Sequence, residues 1–214
     1  MTKDYKTNQE NFWATEFGDE YSERNTGDQF LKNQIHYFTE IFDSIKNDKT
    51  KSIKSVIEFG ANIGVNLNAI KTLLPSAELA AIEINEKASR EISEWSNNEV
   101  KVYNQSILEF EPDSKRDFVF TKGVLIHINP DELVTVYEKL YQASSKYVCI
   151  GEYYNPSPMG IEYRGHKDRL FKRDFCKEIM EMYPDLKLIS YGFSYHGDPE
   201  YPQDDITWFL MEKV

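Results

Sequence analysis

The sequence predicts an α/β protein: a mostly parallel sheet of seven strands with helices on both faces and an antiparallel hairpin at the C-terminal end. Three observations carry this. Short apolar bursts alternate with helix-period segments four times between residues 53 and 150. The bursts are apolar at every position, as strands covered on both faces are. Two strand-like runs, 186–191 and 206–211, close the chain with no helix-length segment between them, so they pair antiparallel.

Residues 1–27 form a polar arm whose five aromatics, Tyr5, Phe12, Trp13, Phe17 and Tyr21, exceed what an unpacked tail needs. Leu31, Ile35, Phe38, Phe42 and Ile45 then recur at helical spacing. The polar run 47–52 breaks that pattern before a first strand at 55–59, which ends at Gly60. Leu67, Ile70 and Leu74 restore the helical period until Pro75 stops it. A second strand at 79–84 is followed by Asn85, an N-cap for a helix burying Ala88, Ile92 and Trp95. Third and fourth strands lie at 100–103 and 117–120. Asn129, Pro130 and Glu132 make a helix start with a cap, a proline at the first position and a carboxylate three residues on. That helix carries Leu133, Val136, Tyr137, Leu140 and Tyr141 and leads to a fifth strand at 147–150. A polar stretch at 152–173 precedes a helix with Phe171, Phe175, Ile179 and Met182, and the closing hairpin follows. The expected organisation is one domain over 1–214: an arm or lid at 1–27, a ligand-binding core at 28–150, and an insert with the hairpin at 151–214.

The charge balance excludes whole classes of partner. With 25 Lys and Arg against 36 Asp and Glu, the net charge is −11, opposite to what a nucleic-acid clamp or a resident of an anionic membrane surface needs. At 40% hydrophobic content over 214 residues, such a chain buries roughly 70% of its unfolded surface and needs neither disulfide nor structural metal. Cys149 and Cys176 both sit in apolar patterns, which suits core residues of a reducing compartment. The N-terminus lacks the apolar segment of a signal peptide, and no apolar run approaches the ~20 residues of a membrane span. A cytoplasmic location is expected. The four histidines lie far apart, so no metal site is expected.

Open α/β sheets bind ligands beyond the carboxyl ends of their strands. At that edge the first strand carries Glu58-Phe59-Gly60-Ala61-Asn62-Ile63-Gly64. A dinucleotide fingerprint would place glycines at 60, 62 and 65, but Asn62 and Val65 stand there, and no Walker lysine follows. Glu83, 23 residues after Gly60, ends the second strand, where an acid can accept both hydroxyls of a ribose. Gln105 and Ser106 make a polar turn after the third. Taken singly, Gly60 is an ordinary strand-to-helix turn and Glu83 a solvated strand-end acid. Together they form a nucleoside cradle without a pyrophosphate site.

On these residues, across roughly 53–150, the chain resembles the class I S-adenosylmethionine-dependent methyltransferases, which implies their Rossmann-like fold and S-adenosylmethionine as cofactor. The resemblance implies that Glu58, Gly60, Ala61, Asn62 and Gly64 hold the methionyl part and ribose, that Glu83 binds the ribose hydroxyls, and that Ile84 packs on adenine. In that family the third-strand turn usually carries an Asp at the adenine amino group; here Gln105, Ser106 and Ile107 stand there. The segment 121–127, with Lys122, looks like the family's lining of the methyl-transfer site. A narrower resemblance rests on blocks at 12–21 with Arg24-Asn25, 162–165, 170–175, 191–193 and 204–210. These blocks look like the methylases associated with pseudaminic acid biosynthesis, and they mark a family better than a substrate.

Methyl transfer from a sulfonium is an in-line displacement, so alignment and exclusion of water are the main demands. His127, at a strand's carboxyl end, is the candidate base, against the alternative of a histidine bonded to backbone. Glu152 could orient the acceptor, or be a strand-end acid and nothing more. The segment 153–173 holds Arg164, His166, Lys167, Arg169, Lys172 and Arg173 with Tyr153, Tyr154 and Tyr163, a local basic cluster suited to an anion. The alternative for Lys172 and Arg173 is a solvated helix face. The N-terminal arm, with Tyr21 and Arg24, is expected to fold over the cofactor as a lid, against the alternative that its aromatics are ordinary packing. The expected function is methyl transfer to a small anionic metabolite, with a sugar or nucleotide-sugar precursor of a bacterial surface glycan first by resemblance. Three alternatives stand beside it: O-methylation of a phosphoryl or phosphoramidate group in capsule biosynthesis, a silent cofactor-binding partner protein, and a nicotinamide-dependent dehydrogenase.

Overall fold

A computed structural model of the chain describes residues 5–22, 27–45 and 49–214. Arg24 lies outside the described residues. Two short helices open the chain, α1 (Asn8–Ala14) and α2 (Glu16–Ser22), followed by the long α3 (Asp28–Asp43). Strands β1 (Ser55–Phe59), β2 (Glu78–Ile82), β3 (Lys101–Tyr103), β4 (Arg116–Lys122) and β5 (Ser144–Glu152) then alternate with α4 (Val65–Leu73), α5 (Glu86–Trp95) and α6 (Leu133–Ala143). After these come β6 (Met159–Tyr163), β7 (His166–Lys172), α7 (Phe175–Met182), β8 (Leu186–Ser194) and β9 (Ile206–Lys213).

Seven strands form one sheet in the order β3-β2-β1-β4-β5-β9-β8. The first five are parallel, while β9 inserts antiparallel between β5 and β8, pairing Cys149 with Leu210 and Gly192 with Trp208. Alternate side chains of the parallel strands enter two separate buried clusters. Val56, Ala81, Phe118 and Phe120 pack with Phe38, Ile41 and Phe42 of α3 and with Leu67 and Ile70 of α4. Ile57, Ala80, Val119 and Val148 pack on the other side with Val136 and Leu140 of α6 and Ile179 of α7. This is why the strands read as continuously apolar: neither face meets water. Asn85 caps α5 by accepting from the Ala88 amide, as its position implied.

Two segments differ from the sequence reading. The polar stretch at 152–173 contains the strand pair β6–β7, a separate two-stranded sheet. Its exposed strands give little apolar signal, and Phe171 belongs to β7, leaving α7 to begin at Phe175 behind the Asp174 cap. Arg164 (φ 51°) and Gly165 (φ 83°) form its two-residue turn between the paired Tyr163 and His166. Positive φ at both central positions is the twist-matched hairpin turn that favours Asn-Gly. Arg164→Asn should therefore raise the melting temperature slightly, equivalent to about 0.5 kcal/mol, which differential scanning calorimetry would register. The N-terminal arm, expected without assigned elements, is two helices. Thr7-Asn8-Gln9-Glu10 is a capping box: the Thr7 side chain accepts from the Glu10 amide and the Glu10 carboxylate from the Thr7 amide.

Among the described residues no helix is long and apolar enough to cross a membrane, and no group of three His, Cys, Asp or Glu could hold a metal. Both cysteines are free and buried.

Candidate active site

The turn after β1 spends its own amides. The Gly60 and Ala61 N–H groups both donate to the Ile82 carbonyl, at 2.9 and 3.0 Å, and the Gly64 N–H donates to the Ala61 carbonyl at 2.8 Å. The Asn62 amide donates to Glu83 Oε2 at 2.7 Å. The amides of Gly60, Ala61, Asn62 and Gly64 are therefore not free to cradle a pyrophosphate. A Cβ on Gly60 would lie 2.7 Å from Val124, and one on Gly64 would lie 3.0 Å from Ile92, so both glycines also permit close packing of neighbouring elements. Asn62 takes φ 49°, a left-handed value that asparagine tolerates, which explains its place where a glycine is commoner.

Glu83 joins the turn to α5. Its Oε1 accepts the Asn85 amide at 2.8 Å while Oε2 holds Asn62. Burial pushes its pKa up and these backbone bonds oppose the rise. A carboxylate has about four acceptor sites, so Glu83 keeps lone-pair capacity beside these amides, and it lines the cavity. Glu58 lies deeper. Its Oε1 accepts Asn66 Nδ2 at 2.6 Å, Oε2 has no partner, and burial raises its pKa to about 8. A folded-state pKa above the ordinary carboxylate value gives stability that is full below about pH 4.5 and lost as pH rises through 8. Glu58→Gln should therefore reduce the fall in melting temperature between pH 5 and pH 8.

A cavity of about 210 Å³ opens over this turn. The N-terminal helices form its roof, held at four points. Ser22 Oγ donates to Asn62 Oδ1 at 2.7 Å, Asn85 Nδ2 to Asp19 Oδ1 at 2.7 Å, Ser106 Oγ to a Glu10 carboxylate oxygen, and Gln9 Nε2 to the Asp168 carbonyl at 3.1 Å. Trp13 packs its ring 5.2 Å from Tyr21 and 4.7 Å from His127, and His127 lies 4.9 Å from Tyr163. These four rings all line the cavity.

His127 ends the short turn Leu125–His127 that follows β4. Its Nδ1 lies 2.6 Å from the Arg169 carbonyl. A carbonyl only accepts, so Nδ1 carries the proton and the neutral ring keeps Nε2 as its acceptor. Burial lowers its pKa to about 4, against that backbone bond. Glu152 holds the turn in place: Oε1 accepts the Val124 and Leu125 amides at 3.0 and 2.9 Å, and Oε2 accepts the Ile126 amide at 3.4 Å. Lys122, on the cavity wall, donates to Gln34 Oε1 at 2.6 Å and Gln203 Oε1 at 3.0 Å and sits over the Tyr37 ring; burial lowers its pKa to about 8.

The cavity thus brings together Gly60, Ala61, Asn62, Glu83, Ile84, Ser106, Ile107, Lys122, His127, Tyr21 and Tyr163 from widely separated parts of the chain. Other expected residues stand off its wall. Glu58, Gly64, Gln105 and Glu152 do not line the cavity, and the Glu152 carboxylate is occupied with three amides of the turn after β4. The basic segment is also displaced. Arg164 is exposed at the hairpin tip against its neighbour Tyr163, the Arg169 guanidinium lies over Phe12, His166 packs on Phe12, and Tyr154 is exposed beside Phe209. Among the described residues Lys122 is the one Lys or Arg on the cavity wall, which also carries Glu10, Glu83 and Asp204. Glu10 and Trp13 had no assigned role in the sequence, although the capping box at Thr7 places a helix, and hence one face, for both.

The sheet order, the reversed β9 and the acid-flanked turn after β1 define the class I S-adenosylmethionine-dependent methyltransferase fold. The magnesium protoporphyrin IX methyltransferase of Synechocystis, solved with bound S-adenosylmethionine, superposes with a TM-score of 0.69 at 12% identity, over 99% of this chain and 100% of that one. The 1,6-didemethyltoxoflavin-N1-methyltransferase of Burkholderia thailandensis, solved with that substrate and S-adenosylhomocysteine, gives 0.68 at 10% identity, over 96% and 87%. An S-adenosylmethionine-dependent methyltransferase of Clostridium acetobutylicum gives 0.63 at 9% identity, over 92% and 97%. No protein-family model matches the chain, and no curated protein sequence matches it.

Proposed function

We propose that the chain is an S-adenosylmethionine-dependent methyltransferase acting on a small acceptor. The observation that carries this is Glu83, a buried carboxylate that lines the cavity at the end of β2, above a turn whose Gly60, Ala61, Asn62 and Gly64 amides are already bonded. That arrangement suits a ribose diol, and the Gly60, Ala61 and Asn62 amides are not free for a pyrophosphate, which favours a nucleoside cofactor over a dinucleotide. Ile84 and Ile107 supply apolar walls for the base. The cofactor supplies an activated methyl group on sulfonium sulfur. The chain's own work is to align, to exclude water and to receive a proton: the roof of α1 and α2 covers the cavity, and His127, which lines it with Nδ1 tied to the Arg169 carbonyl, offers Nε2 as the proton acceptor for a hydroxyl or amine.

For the acceptor, the reading is a small anionic metabolite, a sugar or nucleotide-linked sugar precursor of a bacterial surface glycan. The narrower sequence resemblance supports the sugar. Lys122 supports the anion, because an ammonium has three donors and two are used on glutamines. The displaced basic segment lends no support. Calorimetric titration with S-adenosylmethionine and with NAD tests the cofactor; binding of NAD without binding of the sulfonium would overturn it. Mass spectrometry of nucleotide sugars and sugar phosphates incubated with enzyme and cofactor tests the acceptor.

A further inference from the structure

We infer that Glu10, on the N-terminal helix, reads the amino edge of the bound purine, so that the lid sets the nucleobase specificity of the site. This rests on the nucleoside reading above.

Glu10 is 8% exposed and lines the cavity with Ile84, Ser106, Ile107 and Leu108. If the ribose sits at Glu83, a base running between Ile84 and Ile107 brings its far edge to this corner. Two polar side chains meet there. Ser106 spends its single hydroxyl proton on Glu10 Oε1, and the Ser106 oxygen accepts the Leu108 amide at 3.0 Å. The Glu10 carboxylate accepts the Thr7 amide at 2.8 Å and the Thr7 hydroxyl at 3.0 Å, both on Oε2. A carboxylate offers about four acceptor sites, so Oε1 retains one. The corner therefore presents an acceptor, and the matching ligand edge is a donor: the six-amino group of adenine. A purine with a six-oxo group would set oxygen against oxygen.

Helix capping alone does not account for this carboxylate. The capping box uses Oε2, whereas the bond from Ser106 ties Oε1 to a residue 96 positions away, at the β3 end of the cavity. Gln105, expected from the sequence to contact the cofactor at this turn, does not line the cavity. Glu10 supplies the carboxylate from the other side.

The test compares binding of S-adenosylhomocysteine and S-inosylhomocysteine, which differ in the six-substituent and in the proton that N1 carries beside a six-oxo group, to the full chain by calorimetry. Wild type should favour the adenosyl compound by at least about 10-fold, the range of a charge-assisted hydrogen bond against a mismatched analogue. Glu10→Gln, which can still close the capping box, should abolish the preference by weakening the adenosyl compound alone. Ser106→Ala, which removes the bond that holds Oε1 in place without touching the cap, should reduce the preference. Equal affinities in wild type, or loss of both ligands in equal proportion in Glu10→Gln, would overturn the inference and leave the cofactor reading standing. Failure of wild type to bind either compound would overturn both.

Discussion

Glu83→Ala should weaken binding of S-adenosylhomocysteine by about 100-fold or more. The proposed contact is a pair of hydrogen bonds from ribose hydroxyls to a buried carboxylate, and hydrogen bonds to charged groups contribute about 1.5–3 kcal/mol each. Losing both removes about 3 kcal/mol or more, and each 1.4 kcal/mol is tenfold in affinity. Glu83 also anchors the Asn62 and Asn85 amides, at 2.7 and 2.8 Å, so the same variant loosens the turn. The two roles separate by measurement. A loss of ligand-free melting temperature with unchanged dissociation constant would make Glu83 a brace for the turn; a large rise in that constant, with α5 retained by circular dichroism, places it on the ligand. Glu83→Gln should fall between, because the amide keeps one acceptor and turns a donor toward a diol that needs none.

The parallel core could be read from the chain because strands buried on both faces leave uninterrupted apolar bursts, and because Asn85 and Gly60 mark element ends through local chemistry. That Gly60, Asn62, Glu83 and Ser106 share one cavity wall could be read for the same reason: they sit at strand ends, and strand ends are fixed once the strands are. The acceptor side could not. Arg164, Arg169 and Lys172 cluster in sequence, yet the strand pair β6–β7 and its positive-φ turn separate them, with Arg164 at the exposed tip, Arg169 over Phe12 and Lys172 over Tyr153. A cluster of charge says nothing of its direction until the strands carrying it are known. Glu152 misled in the opposite way. It occupies a strand end facing the site, but three amides of the next turn reach it first. The roof residues escaped because Glu10 meets Ser106 and Trp13 meets His127 only through tertiary packing.

His127→Ala should lower kcat by about 100-fold while leaving S-adenosylhomocysteine affinity within twofold of wild type. A positioned general base contributes about 10²–10⁴ in rate, and the lower end applies because burial brings the His127 pKa to about 4. So weak a base cannot generate an alkoxide. It need not, since a hydroxyl oxygen becomes a strong acid as its bond to the methyl carbon forms, and the proton then passes downhill to Nε2. The carbonyl of Arg169 keeps the other nitrogen protonated throughout, 2.6 Å from Nδ1, so Nε2 remains the acceptor. The sign of the pH dependence follows. Burial favours the neutral ring, and His127 is deprotonated and competent at every pH above about 5, so its protonation should cut the rate only below that, near pH 4. An acid limb near the ordinary histidine value of about 6.5 would mean that the ring is solvated when the acceptor binds. A His127→Ala variant with unchanged kcat would leave the histidine as the brace between the turn after β4 and the strand β7, with the acceptor losing its proton to water.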